Sequence, residues 1–276
     1  MNSGETRDKW SCVGHTARTA NLDTGIGGTA AHLSWMQCAG VGERWNMQVT
    51  SDRPVYRPES FDRMISDLVA RARTIVSGGQ RRLLGITGPP GSGKSTVCAA
   101  LDDALGVDSV VVGMDGFHLS NEELIRMSRR DRKGAPDTFD VDGYAALLQR
   151  LRDQRTDVIY APRFDRDLEQ SIGSAIAVSR TTPLVVTEGN YLLMPDGGWE
   201  NVVPSLDEVW YLDVAEDVRA RRLIDRQRGH GKSLADAQRW TETVDLPNSD
   251  FSLGARSRAD LIVVVPDRPS PDGDSQ

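Results

Sequence analysis

Leu83-Leu84-Gly85-Ile86, then Gly88-Pro89-Pro90-Gly91-Ser92-Gly93-Lys94-Ser95, then Val97-Cys98-Ala99-Ala100-Leu101 is the stretch that decides the fold. The first four residues suit a strand buried on both faces of a parallel sheet. The next eight match G-x-x-x-x-G-K-[ST], and the last five suit a helix. Strand, glycine-rich loop and helix in this order predict a phosphate-binding loop, because a phosphate chain needs several backbone N–H groups converging on it. Glycines let the loop curl, and the following helix adds unsatisfied N–H groups and the positive end of its dipole. Gly88, Pro89, Pro90, Gly91, Ser92, Gly93, Lys94, Ser95 and Thr96 are therefore the expected nucleotide-binding residues. Lys94 would reach the β- and γ-phosphates, and the Ser95 hydroxyl would ligate Mg²⁺, so ATP and Mg²⁺ are the expected cofactors.

Outward from this stretch, the short apolar run recurs at Val110–Val112, Leu184–Val186, Val209–Leu212 and Leu261–Val265, with room for a helical crossover between successive runs. Pro58-Glu59-Ser60 offers a helix start, after which Phe61, Met64, Ile65, Leu68, Val69 and Ala72 fall at helical spacing. Five such strands with helices between them predict an α/β fold, a doubly wound parallel sheet. Residues 51–265 form the expected phosphate-loop domain. In residues 1–50 glycines interrupt every candidate helix, so that head is expected to be disordered, although it holds Trp10, Trp35 and Trp45. A misplaced start, with translation opening at Met47, would explain the same features. Residues 266–276, rich in proline and aspartate, are expected to be a disordered tail.

Composition narrows the function. The 276 residues carry 33 Lys and Arg against 40 Asp and Glu, a net charge of −7, which argues against a dedicated nucleic-acid binder. Cys12, Cys38 and Cys98 are too few and scattered for a disulfide framework or a zinc site, and no run approaches the roughly 18 apolar residues of a membrane span. The chain is expected in the cytoplasm. Its expected partners are a small-molecule hydroxyl acceptor and at most a second copy as a homodimer, with no nucleic acid and no membrane.

A phosphate loop alone does not choose between a kinase, a GTPase and a mechanical ATPase. There is no Asn-Lys-x-Asp to read guanine, and Asp140-Val141-Asp142-Gly143, which imitates D-x-x-G, stands before an amphipathic helix and reads better as its cap. The run Val110–Val112 leads to Gly113-Met114-Asp115-Gly116-Phe117-His118, so Asp115 should emerge at the carboxyl edge of the sheet, where open α/β sheets bind ligands. A carboxylate there can take the proton of an acceptor hydroxyl. His118 could bind substrate or assist with the proton. Glu188, at the end of another buried run, can hold Mg²⁺ directly or through water. Tyr160, Arg163 and Asp165, with Lys133, suit an acceptor bearing hydroxyl and carboxylate or carbonyl groups; for Arg163 and Asp165 the alternative is a surface turn held by their ion pair. Asp115 and Asp165 offset Lys133 and Arg163, which favours a neutral or singly charged acceptor. Arg219, Arg222 and Arg226 share one helical face within Ala215–Arg228, where Arg222 and Arg226 could close over ATP, with Gly229 and Gly231 as hinge. A solvated charged face is the alternative.

Asp115-Gly116-Phe117-His118, Arg132-Lys133-Gly134-Ala135-Pro136-Asp137-Thr138-Phe139-Asp140 and Glu188-Gly189-Asn190-Tyr191-Leu192-Leu193 resemble the phosphoribulokinase, uridine kinase and type I pantothenate kinase family over about residues 80–265. The R-K-G-x-P block is most similar to pantothenate kinases, and the compact length after the loop to uridine kinases. The resemblance implies a P-loop kinase fold with a helical lid, Asp115 as catalytic aspartate, Glu188 at the Walker-B position, and an acceptor pocket lined by the segment Pro162–Asp165. Sequence and resemblance together predict transfer of the γ-phosphoryl group of ATP to a hydroxyl of a nucleoside, pantothenate or a sugar. The alternative is a non-catalytic ATP-binding regulator of kinase shape, which would have no need of a base at the γ-phosphate.

Overall fold

The computed structural model describes residues 47–50 and 53–267. Two short strands, β1 (Met47–Thr50) and β2 (Arg53–Tyr56), precede helix α1 (Phe61–Val76). Strand β3 (Arg82–Thr87), the phosphate loop, helix α2 (Lys94–Leu105) and strand β4 (Ser109–Gly113) follow. Helices α3 (Asn121–Arg126) and α4 (Val141–Arg152) lead into a hairpin of β5 (Val158–Asp165) and β6 (Gln170–Ser179). Strands β7 (Leu184–Gly189) and β8 (Glu208–Asp213) come next. Helices α5 (Glu216–Gly229), α6 (Leu234–Trp240) and α7 (Leu246–Leu253) separate them from β9 (Leu261–Val264).

The main sheet runs β1-β2-β9-β8-β3-β7-β4, parallel except where β1 meets β2. Successive strand residues point to opposite faces, and both faces are covered. Leu84, Ile86, Leu184, Val186, Trp210, Leu212, Leu261 and Val263 pack with Met64, Leu68 and Ala72 of α1 and Val97, Cys98 and Leu101 of α2. Their neighbours Leu83, Val185, Val209, Tyr211 and Ile262 enter the opposite layer with Tyr144, Leu147, Leu148 and Leu151 of α4 and Trp199. This two-sided burial is why the strands read as continuous apolar runs. It is also the doubly wound arrangement that the sequence predicts.

Local signals place the helices. The Ser60 side chain accepts from the N–H of Arg63 at 3.1 Å and opens α1. Asp140 does the same for α4 through the N–H of Gly143 at 2.9 Å, so its D-x-x-G is a helix cap. Helix α5 ends at His230, and Gly231, with φ +86°, turns the chain in the left-handed region that favours glycine.

Two features exceed the sequence reading. Met47–Thr50 is an edge strand paired with Arg53–Tyr56, so the last four residues of the head expected to be disordered have regular backbone, while residues 1–46 and most of the expected tail lie outside the described residues. The hairpin β5–β6 forms a separate two-stranded sheet. It docks against the turn after β4, where Gly116 is required: a Cβ there would lie 2.6 Å from the carbonyl oxygen of Pro162.

Candidate active site

At the carboxyl edge of the parallel strands lies a cavity of about 590 Å³. The phosphate loop forms one wall through Pro90, Gly91, Gly93, Lys94, Ser95 and Thr96. Gly93, with φ +90°, caps α2 in the left-handed region and leaves its N-terminus open to the cavity. Gly88, Pro89 and Ser92 are not in the lining; Ser92 is fully buried beneath the loop. Lys94 Nζ donates to the carbonyls of Gly88 at 2.9 Å and Pro89 at 3.2 Å, so its ammonium rests on the loop itself.

Glu188 ends β7 and Asp115 follows β4, neighbouring parallel strands in which Gly113 pairs with Glu188. Both carboxylates line the cavity with Lys94. Burial pushes the Glu188 carboxyl up to about 7, the Asp115 charge adds to this, and Lys94 and Arg166 oppose it. Burial likewise lowers Lys94, against the pull of Glu188 and Asp115.

Asp115 Oδ2 accepts from Arg166 Nη2 at 3.3 Å. His118 donates from Nδ1 to the Asp115 carbonyl at 2.9 Å, and its ring packs 4.1 Å from Phe139 and 4.7 Å from Phe164 between ring centroids. Burial first, then the charges of Lys133 and Arg166, lower its pKa despite Asp115. A neutral imidazole bonded through Nδ1 leaves Nε2 as an acceptor. Lys133 lines the cavity and donates from Nζ to Asn121 Oδ1 at 2.8 Å and to the Glu169 carbonyl at 2.5 Å.

Helix α5 brings Arg222 and Arg226 into the lining beside the phosphate loop, as the helical spacing predicts. Arg222 Nη1 lies 3.4 Å from the Gly91 carbonyl, over the loop, and Arg226 Nη2 is 3.5 Å from Asp245 Oδ1. Arg219 is buried instead and donates to Ser249 Oγ of α7 at 2.9 Å, tying α5 to the rest of the lid. Gln227, Lys232, Trp240, Val244 and Asn248 of the same lid also line the cavity.

Three expected acceptor residues are not brought to it, and this corrects the sequence reading. The β5–β6 ladder shifts register between Ala161 and Arg163, and the inward-facing positions pass from Ile159 and Ala161 to Phe164 and Arg166. Tyr160 is left 59% exposed on the outer face. Arg163 lies 4.0 Å from Asp165, whose Oδ1 accepts from the N–H groups of Asp167 and Leu168, so the pair holds the hairpin turn. Arg166, Arg130 and Glu169 line the cavity beside Lys133 and Phe164. Pro162, inside a strand, was the available sign of the shift, since proline cannot donate to a ladder.

A model of an AAA domain matches residues 84–241. A "Putative uridine kinase" of Schizosaccharomyces pombe is 34% identical over 196 residues, 67% of this chain and 83% of the relative. The chain belongs to the phosphoribulokinase, uridine kinase and type I pantothenate kinase family of P-loop kinases. This P-loop kinase is also similar to the crystal structure titled as a "putative fructose transport system kinase" from Silicibacter sp. TM1040. The TM-score is 0.65 at 35% identity, over 72% of this chain and 98% of the other. A pantothenate kinase of Levilactobacillus brevis is 27% identical over 66% of this chain and 67% of its own. The cavity therefore lies on the fold of a kinase.

Proposed function

We propose that this ATP-dependent small-molecule kinase uses Asp115 as the general base that receives the proton of an acceptor hydroxyl as its oxygen attacks the γ-phosphorus. The observation that carries this is that Asp115 and Lys94 line one cavity at the carboxyl edge of the sheet. The new O–P bond forms as the bond to the β-phosphate oxygen breaks, and ADP leaves. Lys94, Arg222 and Arg226 neutralise phosphate charge, and the loop N–H groups and the α2 N-terminus hold the phosphates. The lid of α5 to α7 excludes water, so that the phosphoryl group passes to the acceptor rather than to solvent. His118 orients Asp115 through its backbone.

Mg²⁺ fits the donors present. The Ser95 hydroxyl and the Glu188 carboxylate are hard oxygen ligands on one cavity, and Glu188 is a half-buried acid whose charged form a cation would stabilise. Held there by Ser95 and Glu188, Mg²⁺ would supply positive charge that offsets the charge of the phosphates. The proton on Glu188 competes with the metal. Because its pKa is raised, the ligating form is scarce below about pH 7 and prevails above it. Affinity for Mg²⁺ with a non-hydrolysable ATP analogue is expected to rise about tenfold from pH 6 to pH 8, the change in carboxylate fraction for a group titrating near 7. Titration calorimetry should show this slope in the wild type and lose it in Glu188→Gln. A slope kept in the variant would remove Glu188 from the metal site.

The relatives named for uridine, pantothenate and a fructose transport system point to three acceptor types, so the acceptor is proposed here as a class: a nucleoside, a hydroxy acid or a sugar. A coupled ADP-release assay over such a panel tests the reading, and ATP binding without acceptor-dependent release would favour the regulatory alternative. Among the described residues no helix is long and apolar enough to cross a membrane. Cytoplasmic placement is proposed on the cysteine usage alone.

A further inference from the structure

The charge at the acceptor end differs from what the sequence suggested: Arg163 and Asp165, equal and opposite, are spent on the hairpin turn, and Arg130, Arg166 and Glu169 join the lining. Arg130, Lys133 and Arg166 line that end against Asp115 and Glu169, which leaves one net positive charge. The cations are weakly answered. Lys133 donates to two neutral oxygens, and among the described residues no carboxylate pairs with Arg130, while Arg166 pairs with Asp115. They also act on one spot: Lys133 lies 5.1 Å from the centroid of Phe164, whose ring packs on His118, and both Lys133 and Arg166 press on the His118 imidazole.

Resting on the kinase reading above, we infer that the acceptor is a hydroxy acid carrying one carboxylate, and that Arg166 is the residue that reads that carboxylate. The guanidinium fork matches a carboxylate geometrically, and one net positive charge matches one negative charge. A phosphate monoester, nearly a dianion at neutral pH, would leave excess negative charge beside the γ-phosphate. The same contact governs the base. In the structure Arg166 holds the Asp115 carboxylate in an ion pair, Nη2 to Oδ2 at 3.3 Å. A carboxylate arriving on Arg166 draws the guanidinium off Asp115, so that the base is freed when the correct acceptor is bound. Arg166 sits in the turn between β5 and β6 with its side chain 56% exposed, so replacing it leaves the core intact.

The test uses acceptor pairs that differ only in carboxylate against primary alcohol: pantothenate and pantothenol, glycerate and glycerol, gluconate and glucitol. Uridine, fructose and ribulose 5-phosphate complete the panel, with acceptor-dependent ADP release as readout. The wild type is expected to prefer the acid of at least one pair by about tenfold or more in kcat/KM, the gain expected of a charge-assisted contact. Arg166→Gln should raise the KM of that acid about tenfold and collapse the preference, and Arg166→Lys, which keeps the charge, should restore part of it. Melting temperatures of both variants should stay near that of the wild type. Turnover of a neutral acceptor equal to or better than its acid, or of ribulose 5-phosphate but no acid, would overturn the inference and leave the kinase reading standing. An acid preference unmoved in Arg166→Gln would overturn the role of Arg166. No acceptor-dependent release from any member would overturn both readings together.

Discussion

Replacing Lys94 by alanine is expected to reduce phosphoryl transfer to background and to weaken ATP binding. Lys94 is the one side-chain cation that the phosphate loop supplies, and it is buried behind the loop with its ammonium on the carbonyls of Gly88 and Pro89. From there it can exchange those two neutral acceptors for phosphate oxygens, a charge-assisted contact in a water-poor site. Arg222 and Arg226 reach the cavity from α5, with Arg222 over the loop at the Gly91 carbonyl, and are not held against the carbonyls of Gly88 and Pro89 as Lys94 is. Removing Lys94 also leaves Arg166 alone to oppose the effects of burial and Asp115 on Glu188, so the Glu188 pKa should climb above about 7. Steady-state turnover together with binding of a fluorescent ATP analogue checks this. Turnover within a few-fold of the wild type would contradict the assignment of the loop.

Asp115→Asn is expected to lower kcat by roughly 10²- to 10⁴-fold with ATP affinity nearly kept, the loss typical of a missing general base. Asparagine retains size and most hydrogen bonding but cannot accept the proton at neutral pH. Its amide would also no longer form an ion pair with Arg166, so the acceptor end should become more cationic and acceptor KM should not rise as kcat falls. A defect confined to ATP binding would instead make Asp115 a metal ligand or a structural residue.

The elements that decide the fold were legible because each local signal agreed with the tertiary one. Leu83 and Leu84 read as one apolar run, since one faces α4 and the other α1 and α2, and Ser60 and Asp140 carried their helix caps openly. The phosphate loop, Asp115, Glu188, Arg222 and Arg226 were legible for a related reason: strand ends and helix faces fix where they point. The hairpin wall was not: Tyr160 faces out between the buried Ile159 and Ala161, and the register shift after Ala161 brings Phe164 and Arg166 to the cavity in place of Arg163 and Asp165. Strand β2 was missed for being four residues long with Pro54 inside it, and its place rests on β9 and on the Tyr56 hydroxyl, which donates to the buried Asp67 of α1. The lid beyond Gly231 gave no clear period, and α6 and α7 are joined by a π-helical turn, Thr241–Asp245, that shifts the apolar face between them.

The central claim is that this cavity passes a phosphoryl group from ATP to a small hydroxyl acceptor rather than to water. The most direct measurement is the product balance in a single reaction containing ATP, Mg²⁺ and the preferred acceptor, followed by ³¹P NMR. One phosphate monoester of the acceptor is expected for each ADP formed, and neither in Lys94→Ala. ADP appearing in step with free inorganic phosphate, at a rate indifferent to the acceptor, would contradict it.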